Sequence, residues 1–145
     1  MTRLLPALAA ALWVVAALPG LADTVELGFA TDRYMAGSDI EIETPTEGDL
    51  FAASEDLSVQ EPVTGATHLA ARRLVIDAAT GTLYAFAYEI DLDADGTGAA
   101  SLFAAEVDLD AEIGGNLRLF AREADVDGAL MGSALIAAQE LELDA

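Results

Sequence analysis

Carboxylates recur in this chain on a fixed beat. Short stretches alternate an apolar residue with an acidic or polar one. They are Leu57-Ser58-Val59-Gln60, Leu74-Val75-Ile76-Asp77, Ile90-Asp91-Leu92-Asp93, Val107-Asp108-Leu109-Asp110, Ala124-Asp125-Val126-Asp127 and Leu141-Glu142-Leu143-Asp144. Glu43, Asp77, Asp93, Asp110, Asp127 and Asp144 share one column of this pattern. Glu41, Asp91, Asp108, Asp125 and Glu142 share a second. Stacked carboxylates repel, and divalent cations relieve the repulsion; clusters of oxygen ligands suit Ca2+. The glycine-rich nonapeptide of calcium-binding β-rolls is absent, however. The columns therefore read first as a solvated face that resists aggregation. Carboxylate pairs can also cleave glycosidic bonds, but an even series marks no pair out.

Other reactive groups are sparse. Arg72 and Arg73 are adjacent, and the repeat places Arg73 between Asp56 and Glu89 as a cross-coil ion pair. The single histidine, His68, stands where sibling units carry Tyr34, Phe51 and Tyr84, so it reads as a ladder residue rather than a base. A second aromatic column holds Phe86, Phe103 and Phe120. Two readings of these aromatics are open. They form an exposed stripe, a usual mark of an interaction surface, or the strand bends and takes the phenylalanines into the core. Cysteine is absent, which excludes disulfides, thiolate metal sites and a cysteine nucleophile. No phosphate-cradling glycine loop is present. The residues point to no enzyme and require no cofactor.

The elements that hold these columns follow from the period. Gly48, Gly65, Gly81, Gly98, Gly115 and Gly132 recur at about 17 residues. Seven units fit without gaps: 31–47, 48–64, 65–80, 81–97, 98–114, 115–131 and 132–145, with the third one residue shorter. Within a unit the tenth and twelfth residues are apolar, as in Ile40/Ile42 and Leu57/Val59. Period-two alternation means a strand with one buried face. The third and fifth positions, such as Leu50, Leu83 and Leu102, point inward by the same pattern. The seventh is small throughout (Gly37, Ser54, Ala71, Ala87, Ala104, Ala121, Ala138), as a tight inward corner requires. A strand repeated this closely leaves no room for βαβ crossovers. A short fixed period is the signature of a solenoid. The expected fold is all-β: a single-stranded parallel β-helix of about seven 17-residue coils.

Composition sets the outer limits. The chain has 145 residues, 26 acidic groups, six arginines, no lysine and a net charge of −20. Such a charge repels nucleic acid and anionic lipid. At 54% hydrophobic residues it still has material for a core. The N-terminus reads as a secretory signal: Arg3, an apolar run from Leu4 to Leu18, then Gly20-Leu21-Ala22 with small residues at −3 and −1. Cleavage between Ala22 and Asp23 removes 1–22 and leaves no membrane segment. Residues 23–30 read as an N-terminal cap or partial coil before the repeat domain, 31–145. The expected compartment is a bacterial periplasm or the secreted fraction.

The unit Gly48-Asp49-Leu50-Phe51-Ala52-Ala53-Ser54-Glu55-Asp56-Leu57-Ser58-Val59 resembles the repeat of the bactofilin-like, polymer-forming proteins. Gly114-Gly115-Asn116-Leu117 resembles the link between their repeats. The resemblance covers 31–145. It implies a right-handed parallel β-helix that assembles without nucleotide. The export signal and the missing basic tails depart from the usual cytoplasmic members.

The sequence thus predicts an exported scaffold whose partner is itself, as a homopolymer, with cell-envelope components as further partners. Its C-terminal coil carries Leu135, Ile136, Leu141 and Leu143 and ends in strand, a template for edge pairing. The candidate aromatic stripe comprises Tyr34, Phe51, Tyr84, Phe86, Phe103 and Phe120. The competing class is an acidic module that binds Ca2+ or an envelope polymer.

Overall fold

The computed structural model describes residues 24–144. The proposed signal segment 1–22 and the cleavage site at Ala22 and Asp23 lie outside them. Among the described residues ten strands follow one another with no helix: β1 Val25–Phe29, β2 Asp32–Ala36, β3 Asp39–Ile42, β4 Leu50–Val59, β5 Val63–Ile76, β6 Thr80–Leu92, β7 Ala99–Phe103, β8 Glu106–Asp110, β9 Leu117–Asp127 and β10 Ala134–Asp144. All pairings from β2 onward are parallel. Leu57 pairs with Leu74 and Leu83 with Ala100, each 17 residues on. The chain is a parallel β-solenoid of about seven turns.

Each turn has two strand-bearing faces and one plainer side. The first face carries β2, β7 and the first halves of β4, β5, β6, β9 and β10. The second carries β3, β8 and the second halves of the same long strands. The third side is held by single bridges, Thr46 to Val63, Thr97 to Ile113 and Ile113 to Leu130. The core is a stack of aliphatic columns between the three. Leu50, Leu83 and Leu117, then Leu69, Leu102 and Leu119, then Leu74, Ile90 and Val107 are all buried. The alternation read from the sequence is the burial pattern observed. The small seventh position packs against this core at the bend between the faces, through Ala71, Ala87, Ala104 and Ala121.

The glycine column marks the corner from the third side into the first face. Its cause is close approach, not left-handed backbone. A Cβ on Gly65 would overlap the carbonyl oxygen of Gly48 one turn earlier, and one on Gly98 would overlap that of Gly81. The one-residue deletion in the third unit also falls here. Val63 pairs with Thr80 and Ala66 with Thr82, so the register shifts by one residue across the corner. A turn at Gly96, with φ of 85°, holds an extra residue before Thr97.

Residues 24–30 lie as a cap on the first coil and make no turn of the solenoid. Val25–Phe29 runs antiparallel to β2, with Val25 opposite Ala36 and Phe29 opposite Asp32. Only Ala30 and Thr31 join the two strands, and Ala30 has φ of 55°. A two-residue loop reverses a chain and cannot make a parallel crossover. The β1 strand therefore covers the outer edge of β2, and among the described residues none pairs with the outer edge of β3.

Candidate functional site

Four sets of outward or terminal side chains were expected to matter. The structure places each of them.

The acidic columns lie on the second face. Glu89, Glu106, Glu123 and Glu140 are in register on successive turns, as are Asp91, Asp108, Asp125 and Glu142. Ile90, Val107, Ala124 and Leu141 lie between these two columns and line with them an open groove of about 500 Å3. Repulsion is felt within it. Burial, and then the neighbouring Asp108, Asp77, Asp93 and Glu89, raise the Asp91 pKa above the usual aspartate range. Asp110 is raised chiefly by Asp127. The columns are linear. Among the described residues, no three His, Cys, Asp or Glu side chains converge where a metal ion could sit.

Arginines tie the acids together at the corner. Arg73 pairs with Glu89 at 3.3 Å. Asp56 is taken instead by Arg72, which also meets Glu55 at 3.3 Å. Arg122 bonds Glu106 at 3.0 Å. All these side chains are well exposed, so each pair contributes on the order of 0.2–1 kcal/mol.

The aromatics face outward on the first face, and the core alternative does not hold. Alternation decides it: Leu50, Leu69 and Leu102 take the inward positions, so Phe51, His68 and Phe103 point away. Tyr34, Phe51, His68 and Tyr84 stack with centroids 4.5–4.9 Å apart. Phe86, Phe103 and Phe120 stack at 4.9 and 5.2 Å. The two stacks overlap on one turn, at Tyr84 and Phe86, and make a stepped stripe. The planes lie within 7° of parallel, so the rings face one another and offer solvent their edges. His68 sits inside the stack. Tyr88, exposed beside the stripe, was not expected; its position is one past the small corner residue.

Among the described residues, β10 pairs only with β9, and nothing pairs with its outer edge. Leu141 and Leu143 continue the buried columns of Ala124 and Val126, yet they are 48% and 57% exposed. Ile136 extends the column of Leu119 and is half-buried. Leu135 belongs to the outward set and is 57% exposed.

Sequence reasoning passed over a set of corner side chains that hold turn to turn. The Oδ1 atoms of Asp32, Asp49, Asp95 and Asn116 accept the backbone N–H of Asp49, Ala66, Glu112 and Ser133, each 17 residues on, at 2.8–3.0 Å. The signal was present in Gly48-Asp49 and Gly115-Asn116, an acceptor directly after the corner glycine.

No family model, curated protein or solved structure matches the chain. Fold and geometry define the class, a parallel β-solenoid with an acidic face and an aromatic face.

Proposed function

We propose that this protein is an exported structural component of the bacterial cell envelope that self-associates through the end of its solenoid, without nucleotide or cofactor. One observation carries the reading: the outer edge of β10, with core-type Leu141 and Leu143 exposed beside unpaired backbone groups. Solenoid ends normally need a polar cap, and an uncovered edge is a template for another strand. The resemblance of the Gly48–Val59 unit to bactofilin-like repeats supports the same reading. The aromatic stripe is the natural surface for lateral contacts.

Sedimentation and electron microscopy of the purified chain, without nucleotide or metal, test it. End-to-end assemblies are expected. Leu141→Lys and Leu143→Lys should return the chain to monomer with its β circular dichroism intact. A monodisperse monomer at high concentration overturns the proposal.

The acidic groove favours a second reading, a binding module for Ca2+ or an envelope polymer. A rise in melting temperature with millimolar Ca2+, beyond that given by NaCl of equal ionic strength, would decide for it.

A further inference from the structure

We infer that two copies of this chain pair side by side through the first face, with their solenoids parallel and related by a two-fold axis along the rods. This deepens the proposed role of the aromatic face in lateral contacts: it fixes the partner as a second copy and the register as turn on equal turn. Charge sets the face apart. Its outward positions are the fourth and sixth of each turn. Among the described residues these positions hold no acid and one arginine, Arg118, in a chain of net charge −20. The acids of the same turns lie past the bend, on the second face. Phe86 and Leu135 are 53% and 57% exposed on the first face, and Tyr84 and Phe120 are 38% exposed.

The two columns are complementary in size, turn by turn. Where the fourth position is large the sixth is small: Tyr34 stands beside Ala36, Phe51 beside Ala53 and His68 beside Ala70. In the fifth turn the order reverses, with Ser101 beside Phe103. Ser101 points outward by alternation yet is only 6% exposed, as the floor of a trough between Tyr84 and Arg118 of the adjacent turns. A two-fold axis along the rod, midway between the columns, lays the fourth position of one copy on the sixth position of the other in the same turn. Ridges then meet troughs. Phe51 fills the space over the partner's Ala53, and Phe103 fills that over the partner's Ser101. In the fourth turn both residues are large. There Tyr84 and Phe86 of the two copies gather as four rings at the centre of the contact, where binding energy concentrates.

Arg118 fits the same register. Arg33, Arg72, Arg73 and Arg122 each meet a carboxylate within 3.3 Å, whereas Arg118 meets none among the described residues. In the parallel pair it lies over the partner's Phe120, within reach of a cation–π contact. Antiparallel rods match less well. Centred on the fourth turn, they set Tyr34 on Leu135 and Ala36 on Ala137, a clash beside a void. They also put both bends on one edge of the pair, where the glutamate columns of the two copies face each other. Parallel rods put the bends on opposite edges. The face spans about seven turns and five residues of strand. That is about 30 Å by 17 Å, or on the order of 500 Å2 per copy. A total of about 1,000 Å2 is the lower limit for a specific contact, so the pair is weak.

The chain has no cysteine, so single thiols can be placed. Leu141→Lys is the background, because it disables association through β10 and leaves the first face intact. This chain should be a monomer when dilute and pair when concentrated at physiological ionic strength. In it, Ala53→Cys and Ala137→Cys, made separately, should each be captured as a covalent dimer by a bismaleimide with a spacer of about 8 Å, since facing sheets lie about 10 Å apart. An antiparallel pair brings at most one of these sites onto its own copy, because they lie five turns apart. Ala53→Glu places a charge in the trough under the partner's Phe51. It should abolish capture at residue 137 while the β circular dichroism is unchanged. Capture at one site alone overturns the parallel register. Capture that survives Ala53→Glu overturns the face, and no capture at any concentration overturns the pairing. End-to-end association of the parent chain, read by sedimentation, stands or falls separately.

Discussion

At the scale of single residues, the solenoid depends on a few atoms placed at corners. Asp49 accepts the N–H of Ala66 and donates its own N–H to Asp32, so it links three successive turns. Hydrogen bonds to a charged group contribute about 1.5–3 kcal/mol. Asp49→Ala should lower stability by that order in a denaturant melt, and Asp49→Asn should retain most of it, as Asn116 does at its corner. Thr67 presents the opposite case. It is fully buried on an inward column, and no protein group bonds its hydroxyl. Thr67→Val keeps the shape and removes a desolvated hydroxyl. It should raise stability by about 1 kcal/mol, read as a higher denaturation midpoint.

At the scale of the element, the acidic columns set the response to pH. Asp91 and Asp110 have pKa values raised in the folded chain. While they are charged, burial of Asp91 and the repulsion of neighbouring carboxylates oppose folding. As the pH falls through the raised folded values towards 3.8, the folded state takes up protons first. The contribution of these two groups to stability therefore increases on acidification, and is complete below the unfolded value. Melting temperature should rise between pH 7 and about pH 4, and Asp110→Asn should flatten part of that rise. An unchanged slope in the variant would show that the columns are fully screened. The aliphatic columns give a second prediction. Leu102 is fully buried, and Leu102→Ala should cost about 2–5 kcal/mol.

At the scale of the whole molecule, two ends of one rod differ in kind. The N-terminal end is half covered by β1, a strand only five residues long and mostly exposed. At the other end, among the described residues, the eleven residues of β10 pair only with β9. Removing β1 exposes the edge of β2. Deletion of residues 24–30 should therefore give self-association a second uncovered edge, visible as added mass in light scattering. Unchanged mass would show that β1 does not govern assembly at that end.

Much of this architecture was legible in the sequence because a solenoid is a local code. Each turn contacts its neighbours 17 residues away, so periodicity alone reveals the register, the inward pairs such as Leu57 and Val59, and the glycine corner. Three features depended on contacts that no period encodes. Val25–Phe29 resembles the end of a turn, and only the two-residue loop at Ala30-Thr31 shows it to be antiparallel. The aromatics at Phe51 and Phe103 fit either face until the stacking of Leu50, Leu69 and Leu102 fills the interior. The corner acceptors Asp32 and Asp49 look like further surface acid until their oxygens are found on the backbone of the next turn. The sequence by itself determined the repeat, and so the fold, because each turn must bury the same columns. Only the tertiary structure decided that β1 turns back antiparallel onto β2, because that contact lies outside the periodic ones.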